Sequence, residues 1–414
     1  MQHLLFLAHR IPYPPNKGDK LRSFHMLRYL SERYRVHLGC FVDDADDLRH
    51  VDELRKYCGE THFARLHRRL AKLRCVQGLL TGQPLSIPYY HDARLQAWVD
   101  AQFEARTIKH VIVFSSPMAQ YVRKRTGARR IADMVDIDSD KWTQYSRGQR
   151  WPFSAIFRRE GKKLLAYERI IAREFDATTF VSEFEAGMFR SLAPYSEHKI
   201  THFNNGVDCE HFSPAREYPN PYAAHERVIV FTGAMDYWPN VDAVCWFARK
   251  VFPAVRRRLA QATFYIAGAN PGRAVTRLAG IPGVVVTGKV EDMRPYLAHA
   301  EVAVAPLRVA RGVQNKILEA MAMQKPVVAS CEAAAALNVR LGEELHAAKD
   351  RNEWVALVLS ALSGETPAMG VKARERILND YSWGASLNRL GGLLKGLRVL
   401  SGNPSPAPVQ RYGS

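Results

Sequence analysis

The stretch Val302–Ala322 reads VAVAPLRVARGVQNKILEAMA. A short apolar run stops at Pro306, a loop holding Arg308, Arg311 and Gly312 follows, and a helix opens near Val313–Gln314. An apolar run of this length between helices fits a strand buried on both faces of a parallel sheet. The loop after such a strand delivers a helix N-terminus, where unpaired N–H groups and the helix dipole favour an anion, here a diphosphate. Gly312 has no Cβ to hold the backbone away from that anion, and Arg308 or Arg311 can add charge-assisted bonds to phosphate oxygens. Gln314 and Asn315 stand at the helix entry, and Lys316 and Glu319, three apart, share one helix face. Two readings of that pair stand side by side: Lys316 on phosphate with Glu319 accepting from ribose hydroxyls, or a solvated ion pair.

Working outward, the same alternation of strand and helix fills the chain. Val228–Phe231, Thr263–Ala267 and Val284–Thr287 read as strands, with helices starting near Pro239, Pro271 and Asp292. In the first half Leu4–Ala8, Arg35–Val42, His110–Phe114, Ile131–Val135 and Ala177–Val181 read the same way, and Leu21, Phe24, Leu27 and Leu30 form a helical stripe. The turn formers of Asn204–Asp208 and the Pro/Asn-rich segment 219–221 break the rhythm. The pattern predicts an α/β protein of two doubly wound, Rossmann-like domains facing each other across a cleft. The first spans residues 1–204 and is completed by a C-terminal helix over 383–399; the second spans 208–380; residues 401–414 form a flexible Pro/Ser tail.

The length, 414 residues, exceeds one ordinary core and agrees with two domains. Hydrophobic residues at 47% and charged residues at 24% exclude disordered, collagen-like and disulfide-scaffold classes. The six cysteines contain no C-x-x-C pair, which argues against a zinc site and a disulfide framework and fits a reducing cytosol. The apolar N-terminal run is too short for a signal segment, and no stretch reaches the roughly 18–20 apolar residues of a membrane span. The expectation is a cytoplasmic protein, peripheral to a membrane at most.

Several other residues stand where chemistry is expected, after strands. Asp136-Ile137-Asp138 follows the strand 131–135; such a triplet can hold a divalent cation, orient a substrate hydroxyl or cap the next helix. His9 follows the first strand, as a catalytic or a structural histidine. Lys17 and Gly18 precede a helix and can meet phosphate or acceptor there, or form a solvated turn. Ser115 and Ser116 contact a sugar or cap a helix beginning at Pro117, and Trp238 lines a nucleotide site or packs in the core. Charge is uneven: the formal net charge is +18, and Arg55–Arg74, Arg123–Arg130 and Arg147–Lys163 concentrate it in the first domain, the last with Trp151, Phe153 and Phe157. Basic residues mixed with aromatics suit an anionic membrane surface; the alternative is a plain solvated face. Zinc-finger spacing, an RNP-like motif and a basic heptad region are all absent from the sequence, so nucleic acid is not the expected partner.

The run Gly312-x-x-x-Lys316-x-Leu318-Glu319-Ala320-Met321-Ala322 resembles the donor-binding signature of family 4 glycosyltransferases with the GT-B fold. Asn205–Asp208 at the junction, Phe231–Asp236 with Pro239-Asn240 and the Pro14-Pro15-x-x-Gly18-Asp19-x-x-Arg22 loop support it. More narrowly, Asp136–Trp142, Trp151-Pro152, Arg158–Gly161 and Thr232–Asn240 resemble the exopolysaccharide sugar transferases associated with exosortase/PEP-CTERM systems. The resemblance implies an EC 2.4 hexosyltransferase that takes a UDP- or GDP-linked sugar as substrate, with no cofactor and no essential metal. It implies retention of anomeric configuration and a donor site of Gly233, Arg308, Arg311, Gly312, Gln314, Asn315, Lys316 and Glu319. Asp136, Asp138 and His9 then act on the acceptor, with Lys17 and Gly18 near it. Basic clusters in the acceptor-binding domain fit a lipid-linked glycan on the inner face of the cell membrane. The chain departs from the family pattern at Arg311, where many members carry an acid, and at Ala234 and Asn240, where many carry an Arg and a Lys. The alternatives are a nucleotide-sugar epimerase of the same fold, or a noncatalytic basic protein that binds membrane or nucleic acid.

Overall fold

The computed structural model describes residues 1–15, 18–147, 150–310 and 312–397. The chain divides into two compact units, Met1–Phe203 with the segment from Leu387 on, and Asn204–Ser386. The predicted tail 401–414 and the end of the predicted last helix lie outside the described residues.

The first unit is built on seven strands: β1 (His3–Ala8), β2 (Arg35–Val42), β3 (Glu60–Arg65), β4 (Ile108–Phe114), β5 (Arg129–Val135), β6 (Ala177–Phe180) and β7 (Ile200–His202). They form one parallel sheet in the order β3-β2-β1-β4-β5-β6-β7. Central β1 pairs Leu4 with Val36 on one side and His110 on the other. Leu4–Ala8 are wholly buried, the environment in which alternation gives way to a continuous apolar run. The unit is pinned by Arg22, whose Nε donates to Asp133 Oδ2 at 2.8 Å and Nη1 to the Phe203 carbonyl at 3.0 Å. Thr179 Oγ1 adds a bond to Asp133 Oδ1 at 3.1 Å. Both partners of the Arg22–Asp133 pair are fully buried, so the guanidinium ties the helix Gly18–Ser31 to β5 and to the chain leaving β7. From Leu387 on, the last helix, Trp383–Leu394, belongs to this unit, where Leu393 O accepts from Arg129 Nε at 2.5 Å.

The second unit repeats the plan with β8 (Arg227–Thr232), β9 (Ala262–Ala267), β10 (Val284–Gly288), β11 (Val302–Ala305), β12 (Val327–Ser330) and β13 (His346–Ala348). All are parallel, in the order β10-β9-β8-β11-β12-β13. Phe231, Phe247, Phe264 and Trp354 fill its core.

Four strands escape the sequence pattern: β3, whose ETHFAR mixes polar residues at a sheet edge, the short β12 after Lys325-Pro326, and the three-residue β7 and β13. Helices open slightly later than the pattern suggests, at Asn315 rather than Val313, and at Arg273 and Arg294. In each sheet the strand order reverses once, between β1 and β4 and between β8 and β11. The carboxyl ends of those strands are where such sheets bind ligands. No helix among the described residues is long and apolar enough to cross a membrane.

Candidate active site

In the second unit the reversal places the loop after β8 beside the loop after β11. Gly233 follows β8 at φ +151° and donates its N–H to Ala267 O at 3.1 Å. The chain after β9 crosses so closely that a Cβ on Gly268 would lie 1.7 Å from Gly233 O. A Cβ on Gly233 would in turn meet Asn240 Nδ2 at 2.8 Å and Lys316 Cε at 3.3 Å. The glycines therefore bring backbone against the functional side chains, which no larger residue permits.

The helix Asn315–Ala322 follows β11. Ile317, Leu318, Ala320, Met321 and Ala322 are buried on its inner side. At its far end Ala322 O accepts from Arg374, which also binds Phe212 O at 3.0 Å, so the helix is anchored away from its N-terminus. At the near end Gln314 occupies the cap position with no side-chain bond to the first-turn N–H groups, and Gly312 precedes it at φ +60°. Lys316 Nζ donates to Asn240 Oδ1 at 2.8 Å and stands 5.1 Å from the centre of the Phe231 ring. Asn240 is itself buried and fixed by its bond to Ala234 O at 2.8 Å.

Burial lowers the Lys316 pKa to about 8, an effect Glu319 partly offsets. Burial raises the Glu319 pKa to about 7, against the pull of Lys316. The Glu319 carboxylate has no hydrogen-bond partner among the described residues. Burial thus works against the charge on both side chains, a cost that a diphosphate and hydroxyl donors would relieve. Arg308 is turned aside, its guanidinium on Asp242 with Nε at 2.9 Å from Oδ2. Arg311 lies outside the described residues. Trp238 is exposed, which removes the core-packing reading.

In the first unit, the ends of β1, β2, β4 and β5 carry a second polar cluster. The His9 ring stacks on Phe114 at 5.6 Å and meets Tyr90 edge-on at 5.8 Å. Its Nδ1 is 3.3 Å from Phe114 O, which leaves Nε2 facing Asp19 Oδ2 at 3.6 Å. Arg10 joins Asp19 at 2.5 Å and Asp43 at 3.2 Å. Burial alone would raise the Asp19 pKa; His9 and Arg10 outweigh it and hold the carboxyl well below the usual range. Lys20, beside Gly18, is buried against Asp47 at 2.6 Å and so does not face a phosphate. Lys17 lies outside the described residues.

The triplet after β5 is clamped. Lys141 Nζ reaches Asp136 Oδ2 at 2.8 Å and Asp138 Oδ1 at 3.1 Å, occupying the place a divalent cation would take. Burial works against the Lys141 charge, but the two carboxylates outweigh it and raise its pKa. Val135, just before the triplet, has φ +66°, a costly conformation for a β-branched residue. Ser115, just after β4, has φ +71°, and its side chain caps nothing. Beneath the triplet Glu168 accepts from Ser139 Oγ at 2.5 Å and from Ser139 N at 3.3 Å. Burial lifts its pKa to about 8, with the Ser139 bonds opposing.

Gly233, Lys316 and Glu319 are therefore gathered at one strand reversal, and His9 stands at the other near Asp19 and Tyr90. Sequence reasoning missed Asp43, Tyr90, the Lys141 clamp and the Asn240 brace on Lys316. Asp43 was findable, since it follows β2; Tyr90 carries no local signal.

Residues 226–363 match the family of glycosyl transferases group 1. No curated protein matches the sequence. Solved structures similar over nearly the full length include three glycosyltransferase-fold proteins. A glycosyltransferase from Rickettsia africae ESF-5 is 12% identical, with a TM-score of 0.65 over 95% of this chain and 98% of that one. The sucrose-phosphate synthase of Thermosynechococcus elongatus is 16% identical, with a TM-score of 0.66 over 96% and 99%. Anabaena Alr3699/HepE in complex with UDP is 16% identical, with a TM-score of 0.64 over 96% and 100%. At these identities the likeness establishes the fold, two parallel α/β units of the GT-B kind.

Proposed function

We propose that this chain, a glycosyltransferase (EC 2.4) with the group 1 family in its second unit and the GT-B fold, moves a hexose from a nucleoside diphosphate to a lipid-linked glycan. The observation that carries the donor half is the Glu319 carboxylate beside Lys316, without a hydrogen bond among the described residues, on the helix after β11. Ribose hydroxyls donate to Glu319, and the diphosphate lies against Lys316, the Gly312 backbone and the first-turn N–H groups. An arriving diphosphate holds the Lys316 proton more tightly, and ribose hydroxyls stabilise ionised Glu319, so ligand binding and full charge on the pair favour each other. As the C1–O bond to phosphate breaks, Lys316 and the N–H groups stabilise the departing diphosphate. With retention, the acceptor attacks from the face the diphosphate leaves, and its proton passes to the departing phosphate oxygen.

The first unit holds the acceptor. Asp136 and Asp138, fixed by Lys141, orient its hydroxyl, and His9, beside Asp19 and Tyr90, acts on the acceptor with them. A uridine nucleotide is the first choice of donor, since the similar Anabaena protein was solved with UDP. The glycan belongs to an exopolysaccharide, of the kind made in exosortase/PEP-CTERM systems, at the inner face of the cell membrane. The segments Asp136–Trp142 and Arg158–Gly161 support that pathway, and the basic first unit supports the membrane.

The test is thermal stabilisation by UDP, GDP and ADP. A ligand that binds only the folded chain raises its melting temperature by mass action. A shift with one base, lost in Glu319→Ala and kept in Asp136→Asn while transfer to a lipid-linked acceptor falls, is the expected result. No shift with any nucleotide overturns the donor site.

A further inference from the structure

The helix Arg68–Thr81 is apolar on the side that faces water. A helix packed on a sheet ordinarily turns its polar side outward. Among the described side chains its inner side buries Ala71 and Gly78, while Leu70, Leu73, Val76 and Leu79 are 53%, 67%, 54% and 42% exposed. At about 100° per residue these four fall on the half of the helix opposite Ala71 and Gly78. Arg69 and Lys72 rise from the same surface with no ion-pair partner among the described residues.

A second segment of the same kind is fastened to it. Trp151 and Phe153, at the start of the helix Phe153–Glu174, are 84% and 58% exposed. Exposed Arg158, Lys162 and Lys163 follow without ion-pair partners among the described residues. Arg159 Nη2 donates to Gly78 O at 2.8 Å and to Gln83 O at 3.2 Å, and Glu160 Oε2 accepts from Leu85 N at 2.8 Å. The first helix also begins at the acceptor cluster: Asp43 binds both Arg10 and Arg68, each at 3.2 Å.

Nucleic acid would use the cations and leave the leucines in water. An anionic bilayer uses both, drawing the cations to lipid phosphates and taking the apolar side chains below them. We infer that the helix Arg68–Thr81 lies in the surface of an anionic membrane, with Leu70, Leu73, Val76 and Leu79 submerged and Trp151 and Phe153 as a second anchor. This rests on the reading of the first unit as the membrane-facing acceptor half. It adds the element that inserts, and sets that element's first residue one carboxylate from the acceptor cluster.

The test uses the full chain and vesicles of phosphatidylcholine, with and without about 30% phosphatidylglycerol, at physiological salt. The wild type sediments with the anionic vesicles only. Leu73→Ser/Val76→Ser binds them about tenfold more weakly or worse, with unchanged melting temperature and unchanged UDP shift. Lys162→Gln/Lys163→Gln also weakens binding and flattens its salt dependence. Leu341→Ser, at an exposed leucine of the second unit, changes nothing. The inference is overturned if the wild type ignores anionic vesicles, or if Leu73→Ser/Val76→Ser binds them as the wild type does. It is equally overturned if RNA displaces the vesicles while that variant keeps full RNA affinity, because charge alone then explains the surface. A missing UDP shift beside leucine-dependent vesicle binding would fell the donor reading and leave this one standing.

Discussion

Replacing Glu319 by Gln should make the second unit more stable and its nucleotide site weaker, two effects of opposite sign from one substitution. The carboxyl titrates near 7 in the folded chain against an ordinary 4.5. Because the folded value is the higher one, the folded chain holds an extra proton between those two pH values. Stability therefore falls as pH rises through that window. At 1.36 kcal/mol per pKa unit the full effect is about 3 kcal/mol. Glu319 keeps some contact with solvent, and relaxation around it lowers the expected figure to about 1–2 kcal/mol. Lys316, titrating near 8, stays mostly protonated in both states below pH 7 and adds little slope there. Gln is isosteric and does not titrate. Wild type and Glu319→Gln should be equally stable near pH 4.5 and diverge by about 1–2 kcal/mol at pH 8, the variant being the more stable. The same variant loses a charged acceptor for ribose, about 1.5–3 kcal/mol, or roughly 10- to 100-fold in UDP affinity. Denaturant titration from pH 4.5 to 8, followed by hydrogen exchange in the helix Asn315–Ala322, reads the first effect, and calorimetry with UDP reads the second. Parallel stability curves, or a variant less stable at pH 8, would refute the claim that burial holds this carboxyl short of charge. Unchanged UDP affinity would refute its role toward ribose.

Gly268→Ala forces a Cβ to within 1.7 Å of Gly233 O, backbone against backbone, so the second unit should lose more than about 2 kcal/mol and the UDP shift with it; chemical denaturation with and without UDP checks both. Arg22→Met strands Asp133 without its ion partner in a fully buried site and should cost about 3–5 kcal/mol. Adding Asp133→Leu should return part of that loss in the same denaturation assay, which a helix-packing defect alone would not allow.

What could be read from the sequence is what its neighbours in sequence determine. β1, β4, β8 and β11 run apolar because both their faces are covered, and a run of that kind is local. The order Gly312, Lys316, Glu319 is local too, as helix spacing alone sets their common face. β3 is half-solvated at an edge and β7 and β13 are three residues long, too little for a period to declare itself. The partners that set the character of the site come from afar: Asn240 reaches Lys316 across 76 residues, Asp242 reaches Arg308 across 66, and Asp133 reaches Arg22 across 111.

Charge state follows the same division, and it changes what the site means. Lys316 and Glu319 three apart read equally well as a solvated pair or as ligand groups, since spacing says nothing of what covers them. Burial decides between the readings, because it drives the two pKa values toward each other, to about 8 and about 7, while no described residue hydrogen-bonds the Glu319 carboxylate. Leu70, Leu73, Val76 and Leu79 obey the converse rule: their spacing reads as a core face, and their exposure makes them a surface that wants covering. In both places the residue types could be read from the chain, but their function follows from which side of the fold they face.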